Sequence, residues 1–307
     1  MFDELKHQIE IIFEKKEELV SKLLCNPNLT DLRGQTPLHK AAMEGNAQVI
    51  HELNQAADLL VASPDIESLT PLEHALLKRS APAVKELLTN PRINSAEKTA
   101  KNVPMFHFAI KQQEKDCAME FIHHFRAKGV EKDKALAEKT IDAVDPKDSY
   151  SSVSCAGAQG LVDVVVELIN LGAKVDLSFS RDVQALEKAM KQGHHKRIKE
   201  YLHGVYLQTY KEKRQVGGEH NTAAGGLFAS IGIWAAPKEV KLAGVDFLKS
   251  KTIAELEEDI TDKDHPAYPE YLKNYNALKG GEVGAIFELL RYTTHEKINR
   301  LGAKPLN

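Results

Sequence analysis

Aromatic side chains are scarce, 6% of 307 residues with a single Trp. That disfavours a β-sandwich core and suits small stacked helices packed through Ala and Leu. Cysteine is scarcer still. Cys25, Cys117 and Cys155 are too few and too scattered for a disulfide framework or a zinc site, and fit a reducing compartment. Neither charge sign dominates: 41 Lys and Arg stand against 44 Asp and Glu, a net charge of -3. No basic face is therefore expected to draw nucleic acid. Long apolar runs are missing too. The stretch Ala223 to Ala236, uncharged and rich in apolar residues, has 14 residues with three glycines, against the roughly 20 that a membrane-spanning helix needs. Charge begins at Asp3, so the N-terminus does not read as a secretory leader. With 42% hydrophobic and 28% charged residues, the chain has the make-up of a soluble protein with room for two domains, or for an array and its caps.

What is present is a repeat. Gly34-Gln35-Thr36-Pro37-Leu38-His39-Lys40-Ala41-Ala42 is followed by Gly45, Val49-Ile50 and Leu53. Thirty-four residues on stand Thr70-Pro71-Leu72-Glu73-His74-Ala75, then Val84 and Leu87-Leu88. After another 34 come Pro104-Met105-Phe106-His107-Phe108-Ala109-Ile110 and Phe121-Ile122. A fourth unit, Ser151-Ser152-Val153 to Gly172-Ala173, follows after 47 residues, and a fifth, Gln184-Ala185-Leu186-Glu187 to Tyr201-Leu202, after 33. Thr36 and Thr70 are placed to cap helices, with Pro37 and Pro71 at the first helical position. Glu73 and Glu187 have capping-box spacing, and His39 can fill the same polar role. Gly45, Gly160 and Gly193 end the first helix of their units, and apolar pairs at i, i+3 and i+4 define the second.

These residues resemble the ankyrin repeat, above all Thr36 to Gly45, with Leu171-Gly172-Ala173-Lys174-Val175-Asp176 similar to a repeat ending. The resemblance covers 28–204 and implies an all-α solenoid of about five repeats that binds a protein partner. Two departures stand out. Arg79 and Gln113 occupy the helix-ending glycine slots, and the third gap is long, where Ala135, Leu136, Ile141 and Val144 suggest an added helix over 131–145. Asp3 to Cys25 is amphipathic and suits an N-terminal helical cap, 1–27, since solenoid ends must be covered.

From 205 to 307 the period is lost and a small helical domain is expected. Helices are read over Lys196 to Arg214, Pro237 to Lys249, Thr252 to Ile260 (opened by a Thr252/Glu255 capping box), after Pro266/Pro269, and over Glu282 to Tyr292; Gln215 to Gly226 reads as a loop. Leu227-Phe228, Lys238 to Leu248 and Ala277 to Gly284 resemble C-terminal regions of Legionella-type translocated ankyrin effectors. That resemblance implies delivery into a host cell by a type IV apparatus and names no activity.

No catalytic, cofactor or metal constellation emerges. Gly217-Gly218 and Gly225-Gly226 lack the Lys-Ser or Lys-Thr of a phosphate loop. His123-His124 and His194-His195 are adjacent, so on a helix their side chains diverge rather than share an ion. Cys117 reads as core and Cys155 as groove-facing, with no visible base for either. Ala223 to Ala236, flanked by Lys211, Lys213, Arg214, Lys238 and Lys241, fits either an interfacial membrane element or a buried cap. Two solvent-facing rows follow from the ankyrin resemblance. Gln35, Leu69, Val103, Tyr150 and Val183 would stand at the hairpin tips. Met43, Leu77, Lys111, Ala158 and Lys191 would line the groove. The interface is expected on these rows, with Arg33, Lys40, Lys111 and Lys191 giving charge preference; packing of the tip residues on one another is the other reading. An interaction scaffold leads. The alternative is an enzyme whose C-terminal domain gathers Glu219, His220, Asp246 and His265 into a pocket.

Overall fold

The computed structural model describes residues 26–177, 180–216, 238–257, 262–278 and 281–291, and falls into two compact units, 1–174 and 175–307. The N-terminal cap segment, Ala223 to Ala236 and the Gly217 to Gly226 glycines lie outside the described residues. Among those described, all regular structure is helical, with only isolated bridges at Lys98–Pro104 and Val144–Ser151.

In the first unit four helix hairpins follow one another. They are α1 (Pro37–Glu44) and α2 (Ala47–Leu53), α3 (Pro71–Leu77) and α4 (Ala81–Thr89), α5 (Met105–Lys111) and α6 (Lys115–Ala127), and, after the short α7 (Lys134–Lys139), α8 (Ser152–Gln159) and α9 (Val162–Asn170). The helices are too short to be stable alone, so packing must hold them. α1 packs on α3 and α5 on α8, while α2, α4, α6 and α9 form the second row. Small residues make the close approach possible: Ala41 and Ala42 are buried on α1 beside Leu38, and Ala75 is buried on α3 between Leu72 and Leu76. In the third unit Phe106, Phe121 and Phe125 fill the same space, with ring centroids 5.2–5.9 Å apart.

The caps follow the sequence expectation at three of five places. Thr36 and Thr70 each close a full capping box, with His39 and Glu73 as the third-position partners. Ser151 accepts the Ser154 N–H at 3.0 Å. Pro104 caps α5 with no side-chain hydrogen bond, having none to offer. The fifth cap was expected at Gln184, but that residue lies inside α10 (Ser180–Ala189). The inserted 131–145 segment holds less helix than its apolar spacing suggests: α7 covers six residues and buries none, and Ile141 is buried beyond its end.

Arg79 and Gln113 adopt the left-handed backbone of the glycines they replace, φ 59° each, like Gly45 at 73° and Gly160 at 75°. The geometry is set by the hairpin, so a side chain there carries strain of roughly 1–2 kcal/mol. Arg79→Gly should therefore stabilise the first unit by roughly 0.5–1 kcal/mol after the entropy cost of glycine, read as a higher urea midpoint. Gln113→Gly should gain less, because Gln113 Nε2 donates to Gln159 at 2.8 Å.

The second unit begins with α10, α11 (His195–Tyr201) and α12 (Leu207–Val216), with a kink at Gly193 (φ 100°) between the first two and a π-type turn at Leu202–Tyr206 before the third. α13 (Lys238–Ser250), α14 (Ile253–Glu257), α15 (Tyr268–Leu278) and α16 (Gly281–Arg291) complete it. The Thr252/Glu255 capping box forms as expected, with the Thr252 N–H and hydroxyl both donating to Glu255 at 2.7 Å. Val245, Phe247, Leu248, Leu256, Ile286 and Phe287 make its core, and Lys199, fully buried, reaches Glu257 at 2.6 Å.

Candidate interaction surface

Each hairpin between repeats is opened by one residue that the repeat pattern left unremarked. Asp31, Asp65, Thr99 and Asp145 donate their N–H to the carbonyl of Gln35, Leu69, Val103 and Tyr150 respectively, at 2.9–3.1 Å. Their side chains then accept backbone N–H groups inside the turn: Asp31 from Arg33 and Gln35, Asp65 from Glu67 and Leu69, Thr99 from Val103, and Asp145 from Lys147. This is the turn chemistry that favours Asp, and three of the four stand 34 residues apart in the sequence. The left-handed residue of each turn is Gly34, Ser68, Asn102 or Ser149.

It follows that Gln35, Leu69, Val103 and Tyr150 sit at the base of the hairpins and not at their tips. Gln35 is 5% exposed and donates from Nε2 to Asp65 at 3.2 Å; the other three are half-buried. Val183 is also half-buried, within α10. Two of the base carbonyls take a second bond from the preceding repeat, Leu69 from His39 Nε2 (3.2 Å) and Tyr150 from His107 Nε2 (3.1 Å). The tips proper fall just after the opening residues. Leu32 is fully exposed and Ile66 is 69% exposed. The Ile66 N–H donates to the Arg33 carbonyl at 3.0 Å, so the first two tips lie side by side.

The groove row can be placed through its neighbours. Lys40 and His74, the fourth residues after their caps, reach Asp31 (2.5 Å) and Asp65 (2.8 Å), so this stripe of α1 and α3 faces the hairpins. Met43 and Leu77 are the next turn of the same stripe, 38% and 48% exposed. The third and fourth units differ. Lys111 is held by Asp145 and by Asp148 (3.0 Å), and Cys155 is fully buried where a groove-facing thiol was expected. Burial pushes the Cys155 thiol up to about 12, which leaves it protonated and poorly nucleophilic at neutral pH. Cys117 is core, as its apolar slot suggests.

Charge in this region is largely spent internally. The Lys40 ammonium and the Gln35 and Arg33 N–H groups hold Asp31 at about 2. Burial alone would raise Asp65, but bonds from His74, the Leu69 N–H and Gln35 outweigh it and hold that carboxyl at about 2 as well. At Asp145 the Lys111 and Lys147 bonds likewise overcome burial and lower the pKa. Lys40 and Lys111 thus hold the hairpins; Arg33 and Lys191 are exposed. All three carboxyls lie below their ordinary value when folded. Their contribution to stability is complete above about pH 4 and is lost as pH falls toward 2. Helical ellipticity followed from pH 5 down to pH 2 should show the first unit unfolding in that interval.

Of the four residues expected to gather in the second unit, two are described. Asp246 pairs with Lys211 at 2.6 Å, His265 Nδ1 accepts the Ala267 N–H, and Glu219 and His220 lie outside the described residues. Among those described, no three His, Cys, Asp or Glu side chains are grouped to hold a metal ion, and no helix is long and apolar enough to cross a membrane.

Repeated helix hairpins with turns projecting from one edge define a solenoid of the ankyrin type, all-α, followed by further helices. The family model for ankyrin repeats (3 copies) matches residues 9–102, starting inside the segment read from the sequence as a cap. No curated protein matches the chain. Among solved structures, the human ASB11 ankyrin repeat domain is 21% identical, covering 55% of this chain and 73% of its own, with a TM-score of 0.38. The ankyrin repeat domain of Bcl-3, a member of the IkappaB protein family, is also 21% identical, covering 55% and 86%, with a TM-score of 0.31.

Proposed function

We propose that the first unit is a protein-interaction scaffold that takes its partner on the first two repeats. The carrying observation is a pair of apolar columns in register, Leu32 with Ile66 at the tips and Met43 with Leu77 along the groove, all exposed. Each pair is separated by one 34-residue repeat, so the two columns run together across neighbouring hairpins. Contiguous exposed apolar groups of this kind mark contact surfaces in soluble proteins. Arg33, beside both tips, supplies the nearby positive charge. The match of 9–102 to ankyrin repeats supports the same reading.

The test is capture by the intact chain against Leu32→Ser/Ile66→Ser. Leu32 is fully exposed and Ile66 mostly so, so thermal stability should change little. A partner recovered by the native chain should bind the double variant at least tenfold more weakly, since two buried apolar contacts are worth more than 1.4 kcal/mol together. Equal binding would overturn the assignment. Leu69→Ser, at a hairpin base, should instead lower stability. We further propose that the chain is an effector delivered into a host cell; support comes from the C-terminal sequence resemblance, and a translocation reporter fused to the chain, with and without a functional type IV apparatus, tests it.

A further inference from the structure

At the junction of the first two repeats a single imidazole binds in two directions. His39 Nδ1 accepts the Thr36 N–H at 3.1 Å and lies 2.8 Å from the Thr36 hydroxyl, while Nε2 donates to the Leu69 carbonyl at 3.2 Å. Only the neutral ring with its proton on Nε2 can do both. The Leu69 carbonyl is also the acceptor that closes the second hairpin, through the Asp65 N–H at 3.0 Å, and that hairpin carries the Ile66 tip. A proton added at Nδ1 could be accepted by the Thr36 hydroxyl, but it would face the Thr36 N–H, leave that donor without its acceptor and place a charge on a side chain with no exposure. The titratable groups acting on the ring are His74, edge-on at 5.7 Å, and Asp65. Asp65 attracts such a charge, but its carboxylate already serves His74, Gln35 and two backbone N–H groups.

We propose that His39 is a proton-operated latch on the 65–69 hairpin: a proton on its ring breaks the Thr36 cap, drives the imidazole from its seat, and frees the Ile66 tip from Arg33. Burial lowers the His39 pKa, so the latch is closed at neutral pH; the neutral ring's contribution is complete above the ordinary histidine range and is lost as pH falls below it. The other units lack this conflict. Glu73 stands in the same position in the second, and in the third His107 faces Pro104, which has no N–H. The latch stands on the free chain's geometry; only its consequence, release of a partner in acid, rests on the proposed function.

The experiment is amide exchange of the free intact chain at about pH 7.5 and about pH 5, corrected for intrinsic rates, in native protein and in His39→Gln. Glutamine can accept the Thr36 N–H and donate to the Leu69 carbonyl without titrating in this range. Ser68 and Leu69 should lose at least tenfold in protection on acidification of the native chain, and not in His39→Gln. Equal loss in both, or none in the native chain, overturns the latch. Should His39→Gln fold poorly, the native chain decides alone through its imidazole nitrogen shifts: His39 must keep the Nε2–H tautomer at neutral pH and titrate together with the Ile66 and Leu69 amide shifts. Titration with those amides unmoved overturns the proposal.

Discussion

Replacing Asp65 with Ala is expected to cost the first unit about 3–5 kcal/mol. One carboxylate oxygen accepts the Glu67 and Leu69 N–H groups at 2.9 and 3.1 Å; the other accepts from Gln35 and His74 at 3.2 and 2.8 Å. Alanine leaves all four donors without this acceptor in a place where Gln35 and His74 are nearly closed to solvent. A stranded buried donor costs roughly 1–3 kcal/mol, and removing one member of a buried charged set roughly 3–5. Asp65→Asn separates the two halves of the network. Its carbonyl oxygen can still serve the turn, but its amide faces the Gln35 and His74 donors, so the cost should fall between those of native and alanine. Equilibrium urea unfolding of the three proteins measures the series. If alanine costs no more than 1 kcal/mol, the hairpins are held by their backbone bonds alone.

The same residue shows where reading the sequence stops. Helix positions were legible because caps, first-turn prolines and apolar spacing each have a local cause: Thr36, Pro37, Thr70, Pro71 and Ser151 act as their types predict. The hairpins were read one step out of place. The ankyrin resemblance sets the residue before the cap at the tip, yet Gln35, Leu69, Val103 and Tyr150 are buried or half-buried at hairpin bases, and Val183 is half-buried within α10. The opening Asp31 and Asp65 were the available signal, and Leu32 and Ile66 follow from them by one residue. The pairing of Lys111 is hidden from the sequence for a different reason. That Lys111 belongs to Asp145 and Asp148, 34 and 37 residues away, depends on how repeats abut, which spacing within one repeat does not contain. The exposure of the groove residues Met43 and Leu77 agrees with what the ankyrin resemblance implies for that row.

Pro104→Thr should stabilise the first unit by about 2 kcal/mol, and the reason lies in a pair of histidines with equal positions and unequal partners. His39 and His107 both occupy the third position of their helix and both donate from Nε2 to the next hairpin base. Nδ1 of His39 accepts from Thr36, but Nδ1 of His107 is buried with no hydrogen-bond partner. The cause is the cap: Pro104 has neither an N–H to meet that nitrogen nor a hydroxyl to meet the helix. Its backbone, φ -55° and ψ 137°, lies close to that of Thr36, φ -78° and ψ 167°, so threonine needs little rearrangement. A restored cap is worth roughly 0.5–2 kcal/mol and a satisfied buried acceptor roughly 1–3, less the roughly 0.4–1 that proline contributes by restricting the unfolded chain. Pro104→Ala supplies the N–H without the hydroxyl and should gain about 1 kcal/mol, the acceptor's share less proline's. Urea midpoints rank the three, and the His107 Nδ1 shift reports the new bond directly. If threonine were no more stable than alanine, the cap hydroxyl would have no place in this helix, and the first repeat's box could not be taken as the pattern for the third.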